Sequence, residues 1–402
     1  MAATRRRGRG RIGIVAAGIG ALASTAARGE TNLDFRFLYY GENDNRTQVL
    51  NPEILLRQDF GEKGQLGLLL AYDTISGASP TGEYPTLDAT ATASSSGTIP
   101  MAEYKDTRRA ASLSYAKRLG SHLPSVDLSY SRESDYLSRG VSLVDSWELF
   151  GKRSTFHVGA GILRDNISPA NMTDDFTKKS LSLSAGWTQV LGPRDLLDFS
   201  FGLTKLDGYL TDPYKLVTVG TTSVPEVRPD TRSRNSAVFK YGHYYLSRSA
   251  LKASYRYYWD DWSVKAHTLD LTWDKRVGQK LILSPRLRYY RQGAASFFAY
   301  EFPTPETTMS GDYRLSAFWS WLAGIGFRVD ISDQVAFTME AAYQDQTGLD
   351  RVTPRAAVPV ILAPSGQPIR LEEDGEGEGG PQSLSPADLQ TVTATLGFSF
   401  KF

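Results

Sequence analysis

Cysteine is absent from the 402 residues, so the chain has neither a disulfide staple nor a thiolate metal site. Histidine is scarce: His122, His157, His243 and His267 lie far apart, too few and too dispersed for a metal centre built on imidazoles. Neither charge dominates. Lysine and arginine number 45 against 44 acidic residues, which excludes the strongly basic surface that nucleic acid requires. Beyond the N-terminal region no apolar run approaches the roughly twenty residues of a membrane-spanning helix.

Aromatic residues, by contrast, are abundant, with 21 Tyr, 18 Phe and 7 Trp in a chain whose mean hydropathy is mildly negative. The last strand shows how the two coexist. From Val392 every second residue is apolar, through Ala394, Leu396, Phe398 and Phe400 to Phe402, with Thr393, Thr395, Gly397, Ser399 and Lys401 between them. A period of two gives a strand one oily and one polar face. Sustained over about ten residues with aromatics at the edges, it is the pattern of a transmembrane barrel strand. A terminal Phe also resembles the C-terminal strand by which outer-membrane barrels are recognised for assembly.

The N-terminus carries an address. Arg5, Arg6, Arg7, Arg9 and Arg11 precede the apolar stretch from Ile12 to Ala23, and small residues follow to Ala27. Basic, apolar and small regions in that order predict a Sec-type signal peptide over residues 1–27, leaving 28–402 as one barrel domain. Removing five arginines and no acid leaves the mature chain at −4. An exported chain without disulfides needs another source of rigidity, and closing a sheet on itself supplies one.

The first strand is read at Leu33–Tyr40, followed by a polar loop. Thereafter short turns alternate with long or polar connections. The turns fall near 61–64, 120–124, 151–154, 192–195, 247–250, 278–280 and 332–334. The connections fall at 76–103, 134–140, 165–177, 207–231, 260–263, 292–312 and 346–387. This is the rhythm of an up-and-down antiparallel transmembrane β-barrel with short periplasmic turns and longer outer loops, here of about sixteen strands. An even count places both termini on the periplasmic side. Oily faces such as Phe156, Val158, Ala160 and Ile162, or Leu197, Phe199, Phe201 and Leu203, oppose Gly, Ser, Thr and Asp, which suits a wall around water better than a dry core. The longest such run extends from Leu315 through Trp319 and Trp321 to Phe327. Glycine pairs such as Gly159 with Gly161 and Gly324 with Gly326 relieve crowding in the lumen. Two residues break the pattern. Asp145 falls on a lipid face, which predicts a bulge or a strand-end position, and Pro285 within a strand predicts a bulge.

The stretch from Tyr255 to Phe298, YRYYWDDWSVKAHTLDLTWDKRVGQKLILSPRLRYYRQGAASFF, and the segment DGYLTDPYKLV from Asp207 to Val217 resemble the signature region of an uncharacterised bacterial outer-membrane family, domain-of-unknown-function family 3570. The resemblance implies location in the outer membrane and brings no reaction, cofactor or functional residue with it.

On the lumen faces of neighbouring strands the alternation gathers Lys240, Tyr244, Arg256, Tyr258, Arg286, Arg288 and Tyr290, with Asp198, Asp270 and Glu340 as partners. Rings of Arg and Tyr select ions or orient an anionic or aromatic solute; the plainer reading is a self-neutralised interior. His267 with Thr268 and Asp270 invites comparison with barrel phospholipases, but alternation puts His267 and Thr268 on opposite faces. Asp260 and Asp261 are read as a solvated outer turn. The acidic run from Glu372 to Glu378 lacks the ligand spacing of a calcium loop and reads as a repelling loop tip. The 346–387 loop is a candidate to fold inward as a constriction.

The leading expectation is therefore a channel or solute-passage protein, with no catalytic, cofactor or metal residue assigned. A barrel serving as scaffold or sheath for a periplasmic redox or secretion partner is the second reading, and a barrel lipase or protease the third. Expected partners are outer-membrane lipid, lipopolysaccharide and the barrel assembly machinery of a Gram-negative bacterium.

Overall fold

The computed structural model describes residues 29–44, 46–82, 100–351, 361–362, 368–369 and 385–402. The expected signal peptide and the acidic run lie outside the described residues. Nine strands come first: β1 Thr31–Glu42, β2 Gln48–Asp59, β3 Gln65–Pro80, β4 Met101–Ala116, β5 Ser125–Arg132, β6 Tyr136–Leu149, β7 Ser154–Ile167, β8 Phe176–Val190 and β9 Asp195–Gly208. A short hairpin, β10 Leu216–Val219 and β11 Thr222–Pro225, interrupts the series. Then come β12 Thr231–Tyr245, β13 Ser249–Asp260, β14 Lys265–Val277, β15 Leu281–Gln292, the two-residue β16 Glu301–Phe302, β17 Phe318–Asp330 and β18 Val335–Gly348. A small pair, β19 Ile361–Leu362 and β20 Pro368–Ile369, precedes the last strand, β21 Leu389–Lys401.

Sixteen of these close into one antiparallel barrel, with β21 pairing β1 to seal it. The expected fold and strand number hold. The start of β1 and the end of β21 meet at the short-turn rim, where Thr31 and Phe402 exchange backbone hydrogen bonds of 3.1 and 2.9 Å. Following the register from strand to strand around the wall returns to β1 sixteen residues from the start, so the shear equals the strand number. The same equality in an eight-stranded barrel gives a tilt of about 36°. With strands about 4.8 Å apart, sixteen of them then span a backbone diameter of about 30 Å. Wall side chains cannot fill such a bore. It must hold water, folded loops or both.

The outward faces are apolar along their length. Leu181, Leu183 and Trp187 on β8 and Phe199 and Phe201 on β9 are all exposed, as are Trp273, Leu287, Trp321 and Phe398 elsewhere on the wall. So continuous an apolar belt is stable only in contact with hydrocarbon. Aromatic rings pair at its two margins: Phe156 stacks on Trp187 near the short-turn rim, and Tyr257 stacks on Trp259 near the long-loop rim, 5.2 Å between centroids. Within the lumen, a Cβ on Gly159 would press on Ser184 and Val144, and one on Gly324 on Ala342, so both glycines do relieve crowding.

The irregular residues are accommodated without bulges. Pro285 faces lipid and keeps an unbroken register with Ile325 on β17; toward β14 the pairing skips Ser284 and Pro285 and resumes in the same register at Leu283. The bulge expected there does not form, because a proline on a ladder needs only the loss of its own bond. Asp145 also lies in unbroken register, near the end of β6, where its carboxylate meets His122 Nδ1 at 2.9 Å. Of the two explanations offered for it, the strand-end position applies. Two boundaries differ from the sequence reading. The 134–140 connection shrinks to residues 133–135, and Leu315 leaves the β17 stripe to enter a buried cluster.

Candidate functional site

Two outer connections, 209–230 between β9 and β12 and 293–317 between β15 and β17, pack against each other and against the barrel rim. They fold together as a plate. The β10–β11 hairpin is joined by β16 in parallel, and Val227 bridges Met309 with two backbone bonds. Two small cores hold it. Val217, Val219, Phe302 and Met309 pack inside the plate, while Trp262, Val264, Ala295, Phe297 and Leu315 fasten its edge to the β13–β14 hairpin. This is why Leu315 turns inward.

Other outer connections fasten to the plate. The Lys215 ammonium donates to Ser79 Oγ at 2.7 Å and to the Pro80 carbonyl at the end of β3. Gly82, at φ +92, approaches the backbone of Leu216 so closely that no side chain fits there. Asn171 donates to the Pro213 carbonyl, and the Tyr214 hydroxyl donates to Asp135. Arg46 donates to the Asp388 and Pro386 carbonyls at 2.9 and 2.8 Å and lies over the Tyr313 ring.

A buried ionic node ties the plate's two segments. Asp312 accepts from Arg228 at 2.8 Å and from Arg314 Nε at 2.8 and 2.9 Å, and Arg314 also reaches Asp212 at 2.7 Å. Arg228 lies 2.6 Å from Glu226 as an ion pair. Burial alone would raise the Asp312 pKa, but Arg314, Arg228 and Lys215 outweigh it and hold the carboxyl well below the usual range. Burial likewise lowers Arg314, and Asp312 and Asp212 more than restore it. For Glu226 burial wins and the carboxyl is pushed up, against Arg228 and Ser310; for Lys215 burial pulls the ammonium down.

Between the plate and the wall lies a cavity of about 770 Å³. Arg232, Arg234, Arg256, Tyr258, Tyr290 and Gln292 line it from the barrel, and Arg228, Asp312, Arg314 and Tyr209 from the plate. Lys178, Glu133 and Asp135 line it from the opposite side.

The residues anticipated from alternation divide among three depths. Arg256, Tyr258 and Tyr290 line the outer cavity. In the middle of the wall Asp270 receives Arg286 and Arg288, each at 2.7 Å, and Glu340 lies 3.4 Å from Arg286. Toward the short-turn rim Lys240 pairs with Asp198 at 3.3 Å, and with Tyr244 they line a separate hollow of about 710 Å³. Asp260 is not the solvated turn residue expected of it. Its side chain is fully buried, accepting from Arg232 at 2.5 Å, the Tyr258 hydroxyl at 2.7 Å and the Val264 amide at 2.9 Å, because the plate covers that hairpin. His267 stands on the lipid side, its Nδ1 2.7 Å from the Tyr255 hydroxyl, with Thr268 on the other face. Arg228, Asp312 and Arg314 were not anticipated, since loop residues carry no alternation. Arg232 and Arg234 share the parity of Lys240 on β12 and were legible by the same rule.

Fold and surface together define a transmembrane β-barrel with an inward-folded outer plate. The chain belongs to the family described as Protein of unknown function (DUF3570), whose model matches residues 14–175 and 170–369. No curated protein matches it. Among solved structures it is similar to the siderophore receptor PirA from Pseudomonas aeruginosa, at 10% identity and a TM-score of 0.42, over 81% of this chain and 57% of that one. It is similar also to a bacterial polysaccharide outer membrane secretin, at 8% identity and a TM-score of 0.49, over 92% and 98%. CdiB from Acinetobacter baumannii gives 10% identity and a TM-score of 0.46, over 92% and 60%. The chain thus spans little more than half the length of the siderophore receptor.

Proposed function

We propose that this protein is a passage barrel of the Gram-negative outer membrane, exported by its signal peptide and admitting small solutes past the plate. One observation carries the reading. A bore of about 30 Å is lined by serine, threonine, glycine and ion pairs whose lysines are more than half exposed, so water fills the wall's interior below the plate. A wall kept only as a packed scaffold would place large apolar residues at Ser182, Ser184, Gly202 and Thr204, where β8 and β9 instead face the lumen with small ones.

Conductance of the full-length mature barrel in a planar bilayer tests this. Discrete small-conductance steps are expected, and replacing Leu216–Pro225 with two glycines should enlarge them. A barrel that inserts, yet stays electrically silent with and without the hairpin, overturns the reading.

A further inference from the structure

Two cations on the cavity wall have no carboxylate partner among the described residues. Arg228 and Arg314 are held by Asp312, Arg232 by Asp260, and Lys178 by Asp165. Among the described residues Arg234 makes no hydrogen bond or ion pair, its Nε is buried without a partner, and Asp260 opposite it is engaged by Arg232. Arg256 has only the Tyr258 ring, 5.4 Å from the guanidinium carbon to the centroid. For Arg234, partly withdrawn from water, the lack of a counter-charge of its own is unfavourable, and the planar fork of either arginine matches carboxylate or phosphate oxygens.

The register places these groups together. On the lumen face Arg234 of β12 stands opposite Asp260 and Arg256 of β13 opposite Val238, with Ser236 and Tyr258 between the two arginines, and across the next strand the side chains are only Ala266 and Thr268. Tyr290 and Gln292 of β15 stand on the far side. Two small residues between two tyrosines leave a hollow in the cavity, with Arg234 and Arg256 lining it on either side of Tyr258. Glu133 and Asp135 line the opposite side of the cavity, so a solute with a single anionic end is accommodated and a polyanion is repelled.

We infer that this hollow binds the oxyanion group of a small solute, a carboxylate or a phosphate monoester, between Arg234 and Arg256 and against the rings of Tyr258 and Tyr290. The inference rests on the passage reading and names the class of solute that the outer cavity selects.

Calorimetry on the folded full-length barrel in detergent tests it, with benzoate and phenyl phosphate as anionic probes and benzyl alcohol as their neutral counterpart. Either anion should bind more tightly than the alcohol. Arg234→Gln and Arg256→Gln should each weaken that binding by about tenfold, the loss expected for a charge-assisted hydrogen-bonding group. Lys117→Gln, at the far rim, should leave it unchanged. Equal binding of alcohol and anions, or anion affinity unaltered in both arginine variants, overturns the inference. Should Arg234→Gln fail to fold, Arg256→Gln decides, since its side chain reaches into open lumen. The measurement needs no conductance. A barrel that binds the anions but stays silent in bilayers sinks the passage reading and leaves the site standing, while a conducting barrel indifferent to anion charge does the reverse.

Discussion

The ion pairs of the outer plate and those of the lower wall use the same residue types in opposite surroundings. Asp312 and Glu226 in the plate are within 1% of full burial, and Arg228 between them is only 12% exposed. Lys240 with Asp198 and Lys252 with Asp274 stand in the lumen with the lysine side chains more than half exposed. Water screens the second set and is excluded from the first. The wall therefore depends little on its charges, being held by a closed ladder of backbone bonds and by contact with lipid, whereas the plate adds a buried charge cluster to two small apolar cores.

The largest test of that contrast is Asp312→Asn. It takes the shared carboxylate from buried Arg228, which keeps only Glu226, and from half-exposed Arg314, which keeps Asp212, and a loss of about 3 kcal/mol is expected in the plate. Hydrogen exchange over 209–230 and 293–317 should rise steeply while exchange in the wall stays slow; equal loosening of both would contradict it. On the wall the sensitive surface is the oily one. Leu183→Arg, central on the β8 lipid face, should cost about 2 to 4 kcal/mol in refolding into bilayers, with the plate unaffected.

Acid should act on the plate as the asparagine does, progressively. Because the folded Asp312 carboxyl lies well below its ordinary value, its stabilisation is complete above about pH 4 and is lost as pH falls from there. Glu226 works in the opposite sense, since its raised carboxyl favours the plate at low pH and less as pH climbs through that raised value. Exchange in the plate of Glu226→Gln should therefore rise more sharply on acidification than in the parent chain. The smallest effect belongs to the wall pairs: Asp198→Asn should change unfolding in urea by about 1 kcal/mol or less, and a larger change would show the lumen to be drier than its exposure indicates.

Legibility in the sequence followed the same division. The alternation on β21, β8 and β9 identified wall, faces and strand number, because a strand in a barrel repeats one local rule along its length. It also placed Arg256, Tyr258 and Tyr290 toward the lumen, where the cavity has them. It missed the plate. Val217, Phe302 and Met309 come from segments about eighty residues apart and meet only after the wall has brought both loops to the same rim. Asp260 was misjudged for the same reason: nothing near it in sequence announces that Arg232 and the plate will bury it.

The sequence by itself determined that this chain forms a membrane barrel of about sixteen strands, resembling family 3570, whose first strand starts and last strand ends at one rim, since period-two hydrophobicity and turn spacing are local and survive reading one residue after another. Only the tertiary structure decided that two outer loops fold in over the lumen, that Asp312 ties them, and that Arg234 and Arg256 face one cavity without a carboxylate partner among the described residues. Those outcomes depend on distances between distant segments and on where water is excluded, and neither is written in the local pattern.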